Sequence, residues 1–127
     1  MAELEARVSA VARGPKRTER ILDVLFQQYG GPLFGLILEL ALAARADPEV
    51  HAVVTEQEAA INRAIYATSK AVFGDAITAF PTMGRRWALA LSATRGMAVL
   101  TLLGHPPDGV QKQWRATRRE LATLLDG

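Results

Sequence analysis

Residues 29–50, YGGPLFGLILELALAARADPEV, decide how this chain folds. Glycine commonly ends a helix and proline opens the next, so Gly30-Gly31-Pro32 predicts a break between two helices. A second break follows at Asp47-Pro48-Glu49, which supplies an N-cap and a proline at the first helical position. Between the two breaks, a predicted helix over residues 33–45 has no polar face and is expected to be buried on all sides. Glu39 lies in its middle, and a buried carboxylate requires a partner.

Similar helix-breaking glycine and proline residues divide the rest of the chain into helices. Gly14-Pro15 ends a first segment, and Gly104-His105-Pro106-Pro107 precedes the last. No segment has the alternating pattern of a strand. We therefore predict an all-α bundle of five to six helices in one domain spanning residues 1–127. The predicted helices cover residues 2–13, 16–29, 33–45, 48–73, 81–103 and 108–125, with a shorter helix or a loop between residues 74 and 81.

Composition narrows the class of protein. Half of the residues are hydrophobic, 22% are charged and only 6% are aromatic, which favours a globular helical protein. Fifteen basic and thirteen acidic residues leave a formal charge of +2, too mild to indicate nucleic-acid binding. No apolar run approaches the roughly 20 residues that a membrane span needs. The absence of cysteine excludes disulfides and thiolate metal sites and fits a cytoplasmic location, and the N-terminus does not resemble a signal peptide.

The last two predicted helices carry the pattern of an interface. The first of them, residues 81–103, has small side chains spaced by four at Ala88, Ser92 and Gly96, where another helix can come close. The second carries a heptad-like apolar line formed by Val110, Trp114, Thr117, Leu121 and Leu124. A chain of this length has difficulty covering two helices that are apolar all round. We therefore predict a homodimer in which these two helices from each chain form an intermolecular four-helix bundle.

This order of features resembles the C-terminal effector-binding and dimerisation domain of the tetracycline-repressor (TetR) family of bacterial transcription regulators. The residues that carry the resemblance are residues 29–50 and the segment RGMAVLTLLG at 95–104, followed by a proline-broken amphipathic helix. The resemblance implies a small-molecule effector, a homodimer, and contact with operator DNA only through an N-terminal helix-turn-helix domain. Only 15 residues precede the second predicted helix, too few for that domain. Residues 1–13 are expected to be the tail of the helix that leads from it.

Six residues are candidates for the effector site, because a small-molecule cavity is mostly apolar and aromatic with a few placed polar groups. They are Phe34, Glu39, Asn62, Tyr66, Trp87 and Arg95. Each also has a simpler interpretation. Phe34 and Trp87 are equally consistent with ordinary packing, and Asn62 with a solvated surface. Glu39 either lines the cavity, pairs with Arg95, or faces solvent at the helix edge.

Catalytic and metal-binding patterns are not found in the sequence. His51 and His105 are the only histidines and do not form an i,i+4 pair, so no metal site is predicted. No nucleophile elbow or phosphate-binding loop is present, and neither an enzyme nor a cofactor is expected. The arginines at 115, 118 and 119 are interpreted as the solvated face of the last helix, with an anion or nucleic-acid patch as the alternative.

Two functions therefore remain open. The first is a ligand-sensing and dimerisation domain that binds a small, apolar effector. The second is a helical interaction module that dimerises, has a filled core and takes no ligand. An enclosed cavity between the second and fifth helices distinguishes the first from the second.

Overall fold

The computed structural model describes residues 2–11, 13–75 and 80–126, and most of these residues are helical. Within these ranges there are six α-helices and no strand, which confirms the all-α prediction. A short 3₁₀ turn, Ala44–Ala46, connects the third helix to the fourth. The helices are α1 (Ala2–Ser9), α2 (Arg17–Tyr29), α3 (Pro32–Ala43), α4 (Pro48–Phe73), α5 (Pro81–Leu102) and α6 (Pro107–Asp126).

The break between α2 and α3 brings the two ends together in space. Pro32 occupies the first turn of α3, and the axes of α2 and of α3 with its 3₁₀ turn are bent by 51°. A Cβ atom at Gly31 would lie 3.3 Å from the carbonyl oxygen of Gln28, a tight contact that glycine avoids at this turn. As a result, the aromatic residue that ends α2, Tyr29, lies beside Phe34 in the first turn of α3.

The ends of α4 follow from their capping residues. Asp47 accepts hydrogen bonds through Oδ1 from the backbone N–H groups of Glu49 at 3.0 Å and Val50 at 3.4 Å. These donors have no partner within the helix, so the cap stabilises its first turn. At the other end, Gly74 adopts a φ of 58°, a left-handed backbone conformation that residues other than glycine rarely adopt. The predicted start and end of this helix agree with the structure.

The core is built around α2. Leu22 and Leu25 have no exposed surface, and Phe26 stacks on Trp114 of α6 with ring centroids 4.4 Å apart. Helix α6 packs against α2 and α5 of its own chain. Its apolar line is therefore used within the chain: Trp114 is 1% exposed and Leu121 is 7% exposed.

This packing corrects part of the predicted dimer interface. Val110, Trp114 and Leu121 are buried in the core of a single chain, and a partner cannot contact them without opening that core. Thr117 and Leu124 are half-buried at its edge. Heptad-like spacing indicates that a helix face is buried, but it does not distinguish the chain's own helices from those of a partner.

A carboxylate network holds α6 onto α2. Asp23 accepts a hydrogen bond from Trp114 Nε1 at 2.9 Å and pairs with Arg118 Nη1 at 2.8 Å. Arg118 also approaches Glu19, with 3.4 Å between Nε and Oε1. Arg118 therefore belongs to an ion-pair network, whereas its neighbours Arg115 and Arg119 are exposed, as expected for a solvated face.

Helix α3 is less buried than its sequence predicts. Only Ile37 is buried, while Leu36 is 52% and Leu42 is 69% exposed. The helix packs mainly against α4, and none of the other described helices covers its outer side. Glu39 lies on the uncovered part and is exposed. The expectation of burial on all sides is therefore wrong for the single chain, which has too few helices to surround α3.

Two smaller points complete the comparison with the predicted helices. Helix α1 ends at Ser9 instead of continuing to Arg13. The predicted helix or loop between residues 74 and 81 falls partly on residues 76–79, which lie outside the described ranges.

No single helix in the described ranges has the length and apolar character to cross a membrane. Together, α2 and residues 32–46 are long and apolar enough for a span, but the two segments are bent by 51° relative to each other.

Candidate functional site

A cavity of about 140 Å³ lies where α2, α3, α4 and α5 meet. We call it the central cavity. Its walls are mostly apolar, with three polar or charged side chains besides a tyrosine. The lining residues are Tyr29, Phe34, Ile37, Leu38, Ala41, Val54, Glu58, Ile61, Asn62, Ile65 and Arg95.

Helical spacing creates the apolar walls. Ile61 and Ile65 are four residues apart on α4, and Ile37 and Ala41 are four apart on α3, so each pair lies on one helix face. Val54 extends the α4 wall by two turns. An apolar cavity of about 150 Å³ accepts benzene in another protein. The central cavity therefore has room for a ligand with a single small ring.

Tyr29 is the aromatic centre of the site. Its ring meets Phe34 edge-on, with centroids 5.2 Å apart and planes at 70°. The guanidinium carbon of Arg95 lies 5.6 Å from the centroid of the same ring, within the range of a cation–π contact. The Tyr29 ring is thus contacted by one residue of α3 and by one residue of α5.

The hydroxyl group of Tyr29 is buried and has no hydrogen-bond partner among the described residues. Burial raises the pKa of Tyr29 above its ordinary value of 10.0, because the anionic form loses its solvation, and the positive charge of Arg95 opposes this only in part. The phenol is therefore neutral at physiological pH. A neutral hydroxyl is a hydrogen-bond donor.

The polar side chains of the cavity come from two helices. Glu58 and Asn62 are four residues apart on α4, and both are exposed. Arg95 comes from α5 and is half-buried. Within the described ranges, ion pairs join Arg118 to Glu19 and Asp23, and Arg95 takes part in none. The cavity therefore contains a guanidinium whose charge is not neutralised by a carboxylate of the described chain.

Three of the six predicted ligand-binding residues meet at this cavity. Phe34, Asn62 and Arg95 come from three different helices and line the same space. The other three lie elsewhere. Tyr66 is 52% exposed on the surface of α4. Trp87 is 5% exposed and packs edge-on against Phe73 in the core.

Glu39, the third, lies in a different depression. An open groove of about 410 Å³ runs between α3 and the C-terminal end of α5, and we call it the leucine groove. Its lining residues are Gly35, Leu38, Glu39, Ala41, Leu42, Val99, Leu102 and Leu103. Because Glu39 is exposed there, its charge remains solvated, and it forms no ion pair with Arg95. Of the three interpretations of Glu39, a solvent-facing helix edge fits the described geometry.

Of the five aromatic, polar or charged residues that line the cavity, sequence reasoning missed two. Tyr29 has the spacing of a core residue on α2, four residues after Leu25 and three after Phe26. Its position directly before the Gly-Gly-Pro break is the signal that was available, because a tight break places the end of one helix against the start of the next. Glu58 was detectable by its i,i+4 spacing to Asn62.

The predicted small-residue stripe lies on the surface of the described chain. Ala88, Ser92 and Gly96 are all exposed along α5. A Cβ atom at Gly96 would meet no other atom within 4 Å. This face of α5 is open to another helix, and it lies one residue away from Arg95, which faces the central cavity.

Metal ligands do not cluster in the described residues. No group of three or more histidine, aspartate or glutamate side chains is placed to hold a metal ion. His51 and His105 are both exposed and lie on different parts of the chain.

Comparisons of this chain with protein-family models, with curated proteins and with solved structures find no match.

Proposed function

We propose that this chain is the ligand-sensing and dimerisation domain of a TetR-like bacterial transcription regulator. In this proposal a small, mainly apolar effector binds in the central cavity. Two chains associate through the exposed face of α5 and the half-buried edge of α6 at Thr117 and Leu124. Operator DNA is contacted only by a separate helix-turn-helix domain, and none of the described helices is assigned to that role.

The central cavity is the observation that carries the proposal. A protein of this size usually fills its core. In a purely structural bundle, an apolar space of about 140 Å³ that polar side chains also line would lose packing contacts without any gain. The space lies between the second and fifth helices, and three residues that the sequence singles out line it. This is the arrangement that small-molecule sites have in general: apolar walls with a few polar groups that fix orientation.

Helix α5 gives the proposal a mechanism. It contributes Arg95 to the cavity and, at the next position, Gly96 to the exposed stripe. A ligand that contacts Arg95 acts on the same helix that is proposed to meet the partner chain. If the ligand binds one placement of α5 more tightly than another, it shifts the relative orientation of the two chains by that difference in affinity.

The alternative function, an interaction module without a ligand, is favoured by a different observation. Several large apolar side chains are exposed, among them Leu89, Leu102 and Leu103 on α5 and in the turn after it. Such surface is expected in any chain that associates with a partner. The two functions differ in the central cavity, which only a sensor uses.

A substitution that fills the central cavity distinguishes the sensor from the interaction module. Leu38 and Ala41 lie on the α3 wall, and Ala41→Leu adds three carbon atoms to the space. We expect toluene, used as a small apolar probe, to bind the parent chain and to bind Ala41→Leu about tenfold more weakly or worse. Burial of a small ring contributes about 1.5–3 kcal/mol, and 1.4 kcal/mol corresponds to a factor of ten. Ligand-observed NMR measures both affinities.

Ala43→Leu is the matched control, because Ala43 is on the same helix but exposed. It should leave toluene binding unchanged. Equal binding by the parent and Ala41→Leu, or no binding by the parent of toluene or of any other small ring compound, would contradict the sensor function. It would leave the interaction module as the better account.

A further inference from the structure

The charge of Arg95 is the feature of the central cavity that its apolar walls do not explain. Arg95 is half-buried and lines a mostly apolar cavity, where an arginine is usually paired with a carboxylate. None of the described carboxylates forms an ion pair with Arg95. Glu58, the only acidic residue that lines the cavity, is exposed and makes no such pair. The contact with the Tyr29 ring, at 5.6 Å, is the only partner of this guanidinium in the described chain.

A second polar group of the cavity also lacks a partner. Tyr29 is 3% exposed, lines the cavity, and its hydroxyl makes no hydrogen bond within the described chain. Burial keeps this hydroxyl protonated, because it raises the pKa of Tyr29. Tyr29 and Arg95 are therefore two donors without an acceptor in the described chain, and the cation–π contact places the guanidinium over the Tyr29 ring.

Two adjacent donors without acceptors select the chemistry of the ligand. The guanidinium group presents parallel N–H donors in a plane that matches the two oxygens of a carboxylate. A phenol O–H adds a third donor. The remaining walls are apolar and have room for one small ring. An uncharged ligand would leave the guanidinium unpaired, and a polyanion would have no second cation among the lining residues.

We propose that the central cavity binds a small monocarboxylic acid with a single ring, whose carboxylate pairs with Arg95 and accepts a hydrogen bond from Tyr29 while the ring lies against the isoleucines of α3 and α4. This inference rests on the proposed function, because it assumes that the cavity is a ligand site. It adds the charge and the polar group of the effector, which the apolar composition of the cavity alone leaves open.

Three probes that each contain one benzene ring test the charge. They are benzoate, its uncharged analogue benzamide, and toluene, each titrated by NMR into the 127-residue chain at neutral pH. We expect benzoate to bind about tenfold more tightly than benzamide, since hydrogen bonds between two charged groups are stronger than those to a neutral amide. Arg95→Met should reduce benzoate binding to the level of benzamide and leave toluene binding the same or stronger. Arg95→Lys, which keeps the charge but loses the planar fork, should retain part of the preference.

Controls keep the result interpretable. Arg115→Met removes a cation from the exposed face of α6, away from the cavity, and should change none of the three affinities. If Arg95→Met does not fold, as judged by circular dichroism, Tyr29→Phe provides an independent test. It removes only the hydroxyl and should weaken benzoate about threefold or more while toluene binding is kept.

The outcomes distinguish this inference from the proposed function. Equal affinities for benzoate and benzamide in the parent chain, or benzoate binding that survives both Arg95→Met and Tyr29→Phe, would overturn the carboxylate assignment while the cavity remains a ligand site. Absence of binding by all three probes would overturn the ligand site itself. Selective benzoate binding that is lost in Arg95→Met supports both the carboxylate assignment and the ligand site.

Discussion

Asp23 shows how much of the fold depends on single polar side chains. It accepts hydrogen bonds from Trp114 and Arg118 and joins α2 to α6. Asp23→Ala leaves the buried indole N–H without an acceptor, and we expect the free energy of unfolding to fall by about 1–3 kcal/mol. Urea unfolding followed by circular dichroism measures the change. Glu19→Ala, which removes the longer 3.4 Å contact to Arg118, should cost about 1 kcal/mol or less. Equal losses in the two variants would contradict the special role of Asp23.

Tyr29 makes a prediction about pH. Its pKa in the folded chain is raised, chiefly by burial, so the folded chain holds the phenolic proton more tightly than the unfolded chain does. This contribution to stability is complete below the ordinary pKa of 10.0 and is lost as pH rises through the higher folded value.

We therefore expect Tyr29→Phe to lose less stability above pH 10.0 than the parent chain, as measured by urea unfolding between pH 8 and pH 11. At neutral pH the same substitution should be nearly neutral, because it removes a hydroxyl that has no partner in the described chain. Tyr66→Phe, at a tyrosine that is 52% exposed, is the control and should follow the parent at every pH. If the stability of Tyr29→Phe changed with pH in the same way as that of the parent, burial of Tyr29 would not be the cause of the loss above pH 10.0.

At the scale of the helices, α4 depends on its cap. Asp47 satisfies two backbone donors of the first turn, and Asp47→Ala should lower the free energy of unfolding by about 1 kcal/mol. Because α4 forms one wall of the central cavity, the same variant should also weaken probe binding slightly. Glu56→Ala, at an exposed position within the same helix, should change stability by less than about 0.5 kcal/mol. A loss in Glu56→Ala as large as in Asp47→Ala would show that helix charge matters more than the cap.

The helices could be predicted because glycine, proline and capping residues act locally. Pro32, Asp47 and Pro81 mark the starts of three helices within one residue of their observed positions. Burial was less predictable. The apolar surface of α3 indicates that something covers it, but the number of helices available to do so is a property of the whole chain. The opposite error was made for α6. Its apolar line was expected to contact a partner, but helices of the same chain cover it.

At the scale of the whole molecule, the predicted dimer depends on the open face of α5. Gly96→Arg places a long charged side chain on the stripe without a clash in the single chain, because a Cβ atom there meets nothing within 4 Å. Native mass spectrometry at micromolar concentration should show the parent at twice 13.8 kDa and Gly96→Arg at 13.8 kDa. Ala52→Arg, on the exposed surface of α4, should remain a dimer. A monomeric parent would refute the predicted interface. Leu121→Arg is unsuitable for this test, because Leu121 is 7% exposed in the core.

The candidate site was partly predictable at this scale. Phe34, Asn62 and Arg95 stand out as an aromatic, an amide and a lone cation within apolar helices, and the fold brings them to one cavity. Tyr66 and Trp87 stand out equally and lie elsewhere. Residue type alone does not show which side of a helix faces a cavity, since that depends on crossing angles that the sequence does not state.

The positions of the two tryptophans have an optical consequence. Trp114 stacks on Phe26 and Trp87 packs against Phe73, and neither lines the central cavity. Indole fluorescence therefore reports on the integrity of the core, and neither indole is placed to contact a ligand in the cavity. Because the chain has no cysteine, a thiol introduced at exposed Asn62 would accept a single dye beside the cavity. Unfolding and ligand entry can then be followed at two separate wavelengths in one sample.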